Sequence, residues 1–127
     1  MRMPYPRQHS NAWFLKRTPY RIFMLRELSA VFLALYMLLL LVLVTKVHSG
    51  PDAFAGYVRT LQSPALIVLH VVFLLFALLH TVTWFQAVPK GLPLRRGEEK
   101  VPPALLIGAN YAVLLGLTVI LLGLFLI

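Results

Sequence analysis

Three long apolar segments constrain the fold of this chain more than any other feature of its sequence. They occupy residues 20–47, 64–88 and 101–127. Each is longer than the roughly 20 residues that a helix needs to cross the hydrocarbon core of a bilayer. Strands of a membrane barrel are about half that length and alternate in polarity, and these segments do not alternate. The sequence therefore predicts an all-α integral membrane protein with three transmembrane helices.

The composition agrees with a single membrane domain. The chain is 60% hydrophobic with a mean hydropathy of +0.82, whereas soluble domains are about half apolar. In the loop after the first span, apolar residues recur at helical spacing and predict a short amphipathic helix lying on the membrane surface. The predicted order is an N-terminal segment at 1–19, spans at 20–47, 64–89 and 102–127, an outer loop at 48–63 and a cytoplasmic loop at 90–101.

The distribution of positive charge predicts the orientation. Of the 12 Lys and Arg residues, only Lys46 and Arg59 flank the loop at 48–63. Because cytoplasmic loops carry an excess of Lys and Arg, the N-terminus and the loop at 90–101 are predicted to be cytoplasmic and the C-terminus periplasmic. The ten residues on the cytoplasmic side are Arg2, Arg7, Lys16, Arg17, Arg21, Arg26, Lys90, Arg95, Arg96 and Lys100.

The net charge of +8 comes from basic residues that flank the spans, mostly on one side of the membrane. This pattern does not favour nucleic-acid binding. The expected surroundings are a lipid bilayer. The chain contains no cysteine, so disulfides and thiolate metal sites are excluded.

Four polar positions near one membrane face are candidates for binding chemistry: Arg26, Glu27, His80 and Trp84. Glu27 is the only carboxylate in any span, and intramembrane ionisable groups are costly and usually line a site. Alone, Arg26 is typical of a head-group anchor, Trp84 of an interfacial aromatic and His80 of a hydrogen bond between helices. The set is more informative than any one member.

Helical geometry places the candidates at similar depths. Glu27 lies roughly 12 Å along the helix from Pro19, and His80 lies roughly 13 Å before Pro89. His80 and Trp84 are four residues apart and are expected to face the same way. A carboxylate, an imidazole and an indole suit a flat, redox-active ligand whose carbonyls gain and lose protons, which describes a quinone.

His70 lies in the outer half of the second span. A buried histidine in a membrane helix can serve as one axial ligand of a b-type haem, although no second ligand is evident in the chain. A hydrogen-bonding role at a helix interface is the favoured interpretation, with haem ligation as the alternative.

Three stretches carry a family resemblance: PYRIFMLRE, SGPDAFAGYVRTLQSP and ALLHTVTWFQAVPK. In order, spacing and total length they resemble the membrane-anchor C subunit of the fumarate reductase complex of enteric-type bacteria. The resemblance covers almost the whole chain. Its specific parts are the Leu-Arg-Glu at the start of the first span and the His-Thr-x-Thr-Trp-Phe at the end of the second.

The resemblance implies a complex of four different proteins in the inner membrane of a bacterial cell. A flavoprotein with FAD reduces fumarate, an iron–sulfur subunit relays electrons, and two small three-helix anchors, C and D, hold them at the membrane and bind menaquinone. It implies a quinone site on the cytoplasmic side to which this chain contributes Arg26, Glu27, His80 and Trp84. Family members of this type carry no haem, and a histidine at position 70 is not one of their site residues.

Two other functions stay open at this point. His70 or His80 would be an axial ligand in a haem-b anchor of a succinate dehydrogenase. A small transporter or structural membrane protein without a redox role is the other alternative, and the absence of broken helices gives it little support. The sequence does not distinguish menaquinone from ubiquinone.

Overall fold

The computed structural model describes residues 10–127. The first nine residues of the predicted N-terminal segment, with Arg2 and Arg7, lie outside this range. The described chain contains a short 3₁₀ helix at Trp13–Leu15 and four α-helices, which are α1 (Thr18–Ser49), α2 (Pro51–Leu61), α3 (Pro64–Gly91) and α4 (Pro103–Leu126). Two short strands, β1 (Arg95–Arg96) and β2 (Glu99–Lys100), lie between α3 and α4.

Three helices, α1, α3 and α4, are long and apolar enough to cross a membrane. This confirms the prediction of an all-α protein with three helices of spanning length. Almost no residue of their most apolar stretches is buried. Exposed apolar surface of this extent is typical of a protein surrounded by lipid or by partner subunits. The orientation of the termini stays a prediction.

The chain forms two compact units, residues up to Ala77 and residues from Leu78 onward, and α3 contributes to both. In the first unit, aromatic rings join α1 to the beginning of α3. Phe32 stacks on Phe76 with ring centroids 4.0 Å apart, and Phe73, only 7% exposed, packs against Phe32 and Tyr36. Aromatic pairs of this kind contribute roughly 0.5–1.5 kcal/mol each beyond the area that they bury.

A glycine makes the turn from α1 into α2. Gly50 has φ 114° and ψ 170°, a conformation that essentially only glycine adopts, and Pro51 follows as the first residue of α2. The Tyr57 hydroxyl donates a hydrogen bond to the Leu39 carbonyl oxygen at 3.1 Å, which holds α2 against α1. A helix is therefore present where the sequence predicts a short amphipathic one.

In the second unit, Phe85 of α3 and Tyr111 of α4 meet edge to face, with ring centroids 4.9 Å apart. The helix α3 runs two residues past Pro89, whereas the predicted span stops there. Proline removes only one N–H from the last turn, and the helical pattern continues with the Leu92 N–H donating to the Val88 carbonyl at 2.8 Å.

The segment between α3 and α4, predicted only as a loop, forms a β-hairpin. Its strands are antiparallel, with Arg95 opposite Lys100 and Arg96 opposite Glu99. Gly97, with φ 67°, occupies the first of the two turn positions, as a type II′ turn requires.

The small-residue series of α4, Gly108, Ala112 and Gly116, is exposed. A Cβ built at either glycine meets no described atom within 4 Å. Such stripes let a second helix approach closely in membranes.

Candidate functional site

Arg26 and Glu27 form an ion pair in the first half of α1. An Arg26 guanidinium nitrogen lies 3.5 Å from a Glu27 carboxylate oxygen. The Arg26 side chain is 16% exposed and that of Glu27 is 55% exposed. The Arg26 guanidinium also lies over the Phe23 ring, 5.0 Å from its centroid, a cation–π distance. The arginine is thus packed along the helix, and the carboxylate is the more accessible member of the pair.

Ser29 lies one turn beyond this pair and has no exposed surface. Its hydroxyl donates a hydrogen bond to the Arg26 carbonyl oxygen. Serine in a helix commonly satisfies its hydroxyl in this way. Sequence reasoning missed Ser29, although a serine within an apolar span is a visible signal of close packing.

His80 and Trp84 lie on one face of α3, in the second unit. Their rings are nearly parallel, with an interplanar angle of 6° and a centroid separation of 6.0 Å. His80 is half-buried, whereas Trp84 is 52% exposed. The side-chain hydroxyl of Thr83 donates to the Leu79 and His80 carbonyl oxygens at 2.7 and 3.2 Å. Spacing of four residues predicts that the two rings share a face, and the structure shows it.

This stacked pair offers a flat surface with polar nitrogens at its edge. An indole supplies one N–H donor, and a neutral imidazole supplies one donor and one acceptor. The pair can therefore hold a planar ligand against the indole and hydrogen-bond to an oxygen at the ligand's rim. Arg26 and Glu27 belong to the first unit and His80 and Trp84 to the second, so the prediction that they serve one site stays a prediction.

His70 lies in the first unit, and its ring is held by the backbone. Its Nδ1 lies 2.6 Å from the Leu66 carbonyl oxygen, so Nδ1 is the donor because a carbonyl only accepts. The Tyr36 ring meets it edge to face at 5.9 Å. A cavity of about 130 Å³ adjoins both residues and is lined by Leu33, Tyr36, His70, Phe73, Leu74 and Ala77.

Two further polar groups in the spans were not singled out from the sequence. Tyr36 contacts His70, and the Asn110 side-chain amide donates to the Leu106 carbonyl oxygen at 2.9 Å in α4. An asparagine in a strongly apolar span is a detectable signal, because polar side chains in membrane helices commonly bond to backbone or to other helices. Across residues 10–127, no group of three His, Cys, Asp or Glu residues is arranged to hold a metal ion.

The architecture and these side chains define a class of protein. Three apolar helices of spanning length, with an ion pair and a stacked imidazole–indole pair set into them, make this a multi-pass α-helical membrane protein. The family of fumarate reductase C subunits matches residues 1–126, and the chain belongs to that family. Membership makes the chain one subunit of a larger complex and confirms the family resemblance of the sequence.

Proposed function

We propose that the protein is a membrane anchor of a quinol:fumarate reductase in the bacterial inner membrane. It would tether the flavoprotein and iron–sulfur subunits together with a second small three-helix anchor, the D subunit. It would also contribute to the site where menaquinol is oxidised during anaerobic respiration. The observation that carries the quinone proposal is Glu27, the one carboxylate in a span, held beside Arg26 yet 55% exposed.

Glu27 is suited to accept a proton. Intramembrane acids are rarely retained without a role, and proton relays in membranes are commonly built from Asp, Glu and His. The Arg26 guanidinium packs against the Phe23 ring and pairs with Glu27, which limits the positions open to the carboxylate. With the N-terminus in the cytoplasm, as the charge distribution predicts, Glu27 lies in the cytoplasmic half of the bilayer and releases its proton to that side.

His80 and Trp84 are suited to hold a quinone ring. The half-exposed indole would pack against a flat ring, and its N–H and an imidazole nitrogen would bond to the ring's oxygens. A bound menaquinol supplies two electrons and two protons. The electrons pass to the iron–sulfur subunit and then to fumarate, whose reduction to succinate belongs to the flavoprotein with its FAD.

The test is Glu27→Gln, which keeps the shape of the side chain and removes its ability to take up a proton. General acid–base groups contribute roughly 10²–10⁴-fold in rate, so menaquinol-coupled fumarate reduction should fall roughly 10-fold or more. Fumarate reduction driven by reduced viologen, which feeds the soluble subunits directly, should not change.

Glu98→Gln is the matched control, because it makes the same chemical change at the exposed tip of the hairpin. It should leave both assays unchanged. Equal losses in the menaquinol and viologen assays of Glu27→Gln would assign Glu27 to assembly of the complex. No change in either assay would remove Glu27 from the quinone site.

A second candidate function rests on His70. The Nδ1–H bond to Leu66 leaves Nε2 available, and metal-ligating histidines commonly donate their other N–H to a carbonyl. This favours a haem-b anchor of a succinate dehydrogenase, with His70 as one axial ligand. Two cavities, of about 130 and 380 Å³, adjoin His70. A Soret band with sharp reduced α and β bands in the purified complex would favour this second function.

A further inference from the structure

The hairpin between α3 and α4 has two faces of different charge. Residues directly opposite each other in an antiparallel pair project to the same face, and successive residues alternate between faces. Arg95 and Lys100 therefore share one face, and Arg96 and Glu99 share the other. All four residues are exposed.

The face formed by Arg95 and Lys100, hereafter the cationic face, is unfavourable in isolation. Like charges directly opposite on a sheet are destabilising, whereas the opposite charges of Arg96 and Glu99 are favourable. A hairpin that carries one pair of each kind gains stability when an anion lies between the two cations. The cationic face is thus suited to an anionic ligand.

The two residues of the cationic face lie at the end of the hairpin away from the turn, nearer to the membrane-spanning helices. Arg95 follows the end of α3 at Gly91 by four residues, and Lys100 precedes the start of α4 at Pro103 by three. At about 3.3 Å per extended residue, both side chains begin within roughly 10–13 Å of a helix end. Lys90, in the last turn of α3, adds a third cation close to that helix end.

The acidic residue Glu98 lies at the opposite end of the hairpin, in the turn next to Gly97. The hairpin therefore carries cations at its base, beside the helices, and a carboxylate at its tip. This order matches a surface at which anionic lipid head groups surround the helix ends. An acidic protein surface docked on the tip would face the carboxylate instead.

We propose that the cationic face binds the phosphate of an anionic phospholipid. Arginine donates two parallel hydrogen bonds to phosphate oxygens, and lysine contributes a compact positive charge. The phosphate would lie between the two side chains and relieve their mutual repulsion. The lipid would thereby hold the hairpin at the membrane surface, independently of any role in quinone binding.

The experiment compares lipid binding by charge variants. The full-length protein, purified in detergent with the subunits that accompany it, is titrated with phosphatidylglycerol or phosphatidylcholine, and bound lipid is counted by native mass spectrometry. Each basic residue near a membrane surface contributes about fivefold to anionic lipid binding. Arg95→Gln and Lys100→Gln should each reduce the preference for phosphatidylglycerol by about fivefold, and the double variant by about 25-fold on the same scale.

Arg96→Gln is the matched control, because it removes the same charge from the neighbouring position on the opposite face. It should reduce the preference for phosphatidylglycerol by less than fivefold, because Arg96 lies opposite Glu99 and not opposite Lys100. Arg95→Lys should largely retain the preference. These changes at Arg95 and Lys100 remove a repulsion, so the hairpin is expected to fold.

Two results would overturn the proposal. One is an unchanged preference for phosphatidylglycerol in the double variant. If the accompanying subunits also dissociate from that variant, the cationic face is a protein contact. The other is an equal loss in Arg96→Gln, which would indicate a general effect of charge.

Discussion

At the scale of the residue, Ser29 shows how closely a membrane helix can be packed at one point. Most side chains of α1 are exposed, yet Ser29 has no exposed surface at all. Its position one turn beyond the ion pair means that crowding there bears on the placement of Arg26 and Glu27. We therefore expect the small size of the Ser29 side chain to matter more than its polarity.

Ser29→Leu should lower the free energy of unfolding in detergent by about 1–3 kcal/mol, because a larger side chain must displace closely packed neighbours. Ser29→Ala is the control. It removes a hydroxyl bonded to a backbone carbonyl of its own helix and should cost less than Ser29→Leu. Equal destabilisation by the two variants would mean that the hydroxyl, and not the available space, is what the site requires.

At the scale of the element, the turn between α1 and α2 depends on one backbone conformation. Gly50 joins two helices with almost no loop, and the hydrogen bond from Tyr57 then holds α2 against α1. A residue with a Cβ has no low-energy way to adopt φ 114° and ψ 170°. The path of α2 is thus sensitive to a single side chain at position 50.

Gly50→Ala should destabilise the turn by roughly 1–3 kcal/mol through backbone strain. The accompanying change is faster trypsin cleavage after Arg59, which lies in the last turn of α2. Gly56→Ala is the control, because Gly56 lies within α2 and a Cβ added there meets nothing within 4 Å. Helix propensity predicts that this control stabilises α2 by up to about 1 kcal/mol. Slower or unchanged cleavage in Gly50→Ala would contradict the role of the turn.

At the scale of the whole molecule, three helices of spanning length predict that the chain's two ends lie on opposite sides of the membrane. The uneven distribution of Lys and Arg then predicts which side each end occupies. The quinone proposal depends on this choice, because Glu27, His80 and Trp84 must lie on the side where the soluble subunits dock.

A reporter that is active only outside the cytoplasm, fused after Ile127, should be active. The same reporter inserted in the hairpin turn beside Gly97 should be inactive, and a cytoplasmic reporter should give the reverse pattern at both positions. The hairpin turn is exposed and accepts an insertion without disturbing a spanning helix. Activity of the periplasmic reporter at Gly97 would invert the topology and move the proposed site to the wrong face.

The sequence was sufficient for features that depend on local periodicity. The length and polarity of an apolar segment determine whether a helix can span a bilayer, and α1, α3 and α4 were predictable for that reason. The shared face of His80 and Trp84 follows from a spacing of four residues on one helix. Neither feature requires knowledge of which segments meet.

Only the tertiary structure decided the features that depend on register between segments. The contact of Tyr36 with His70 and the stack of Phe32 on Phe76 require α1 and α3 to meet at one particular offset. The hairpin register, which pairs Arg95 with Lys100, comes from a turn conformation at Gly97 that hydropathy does not reveal. Apolar helices present similar leucine-rich surfaces on every side, so packing of the folded chain, and not the local pattern, selects the faces that meet.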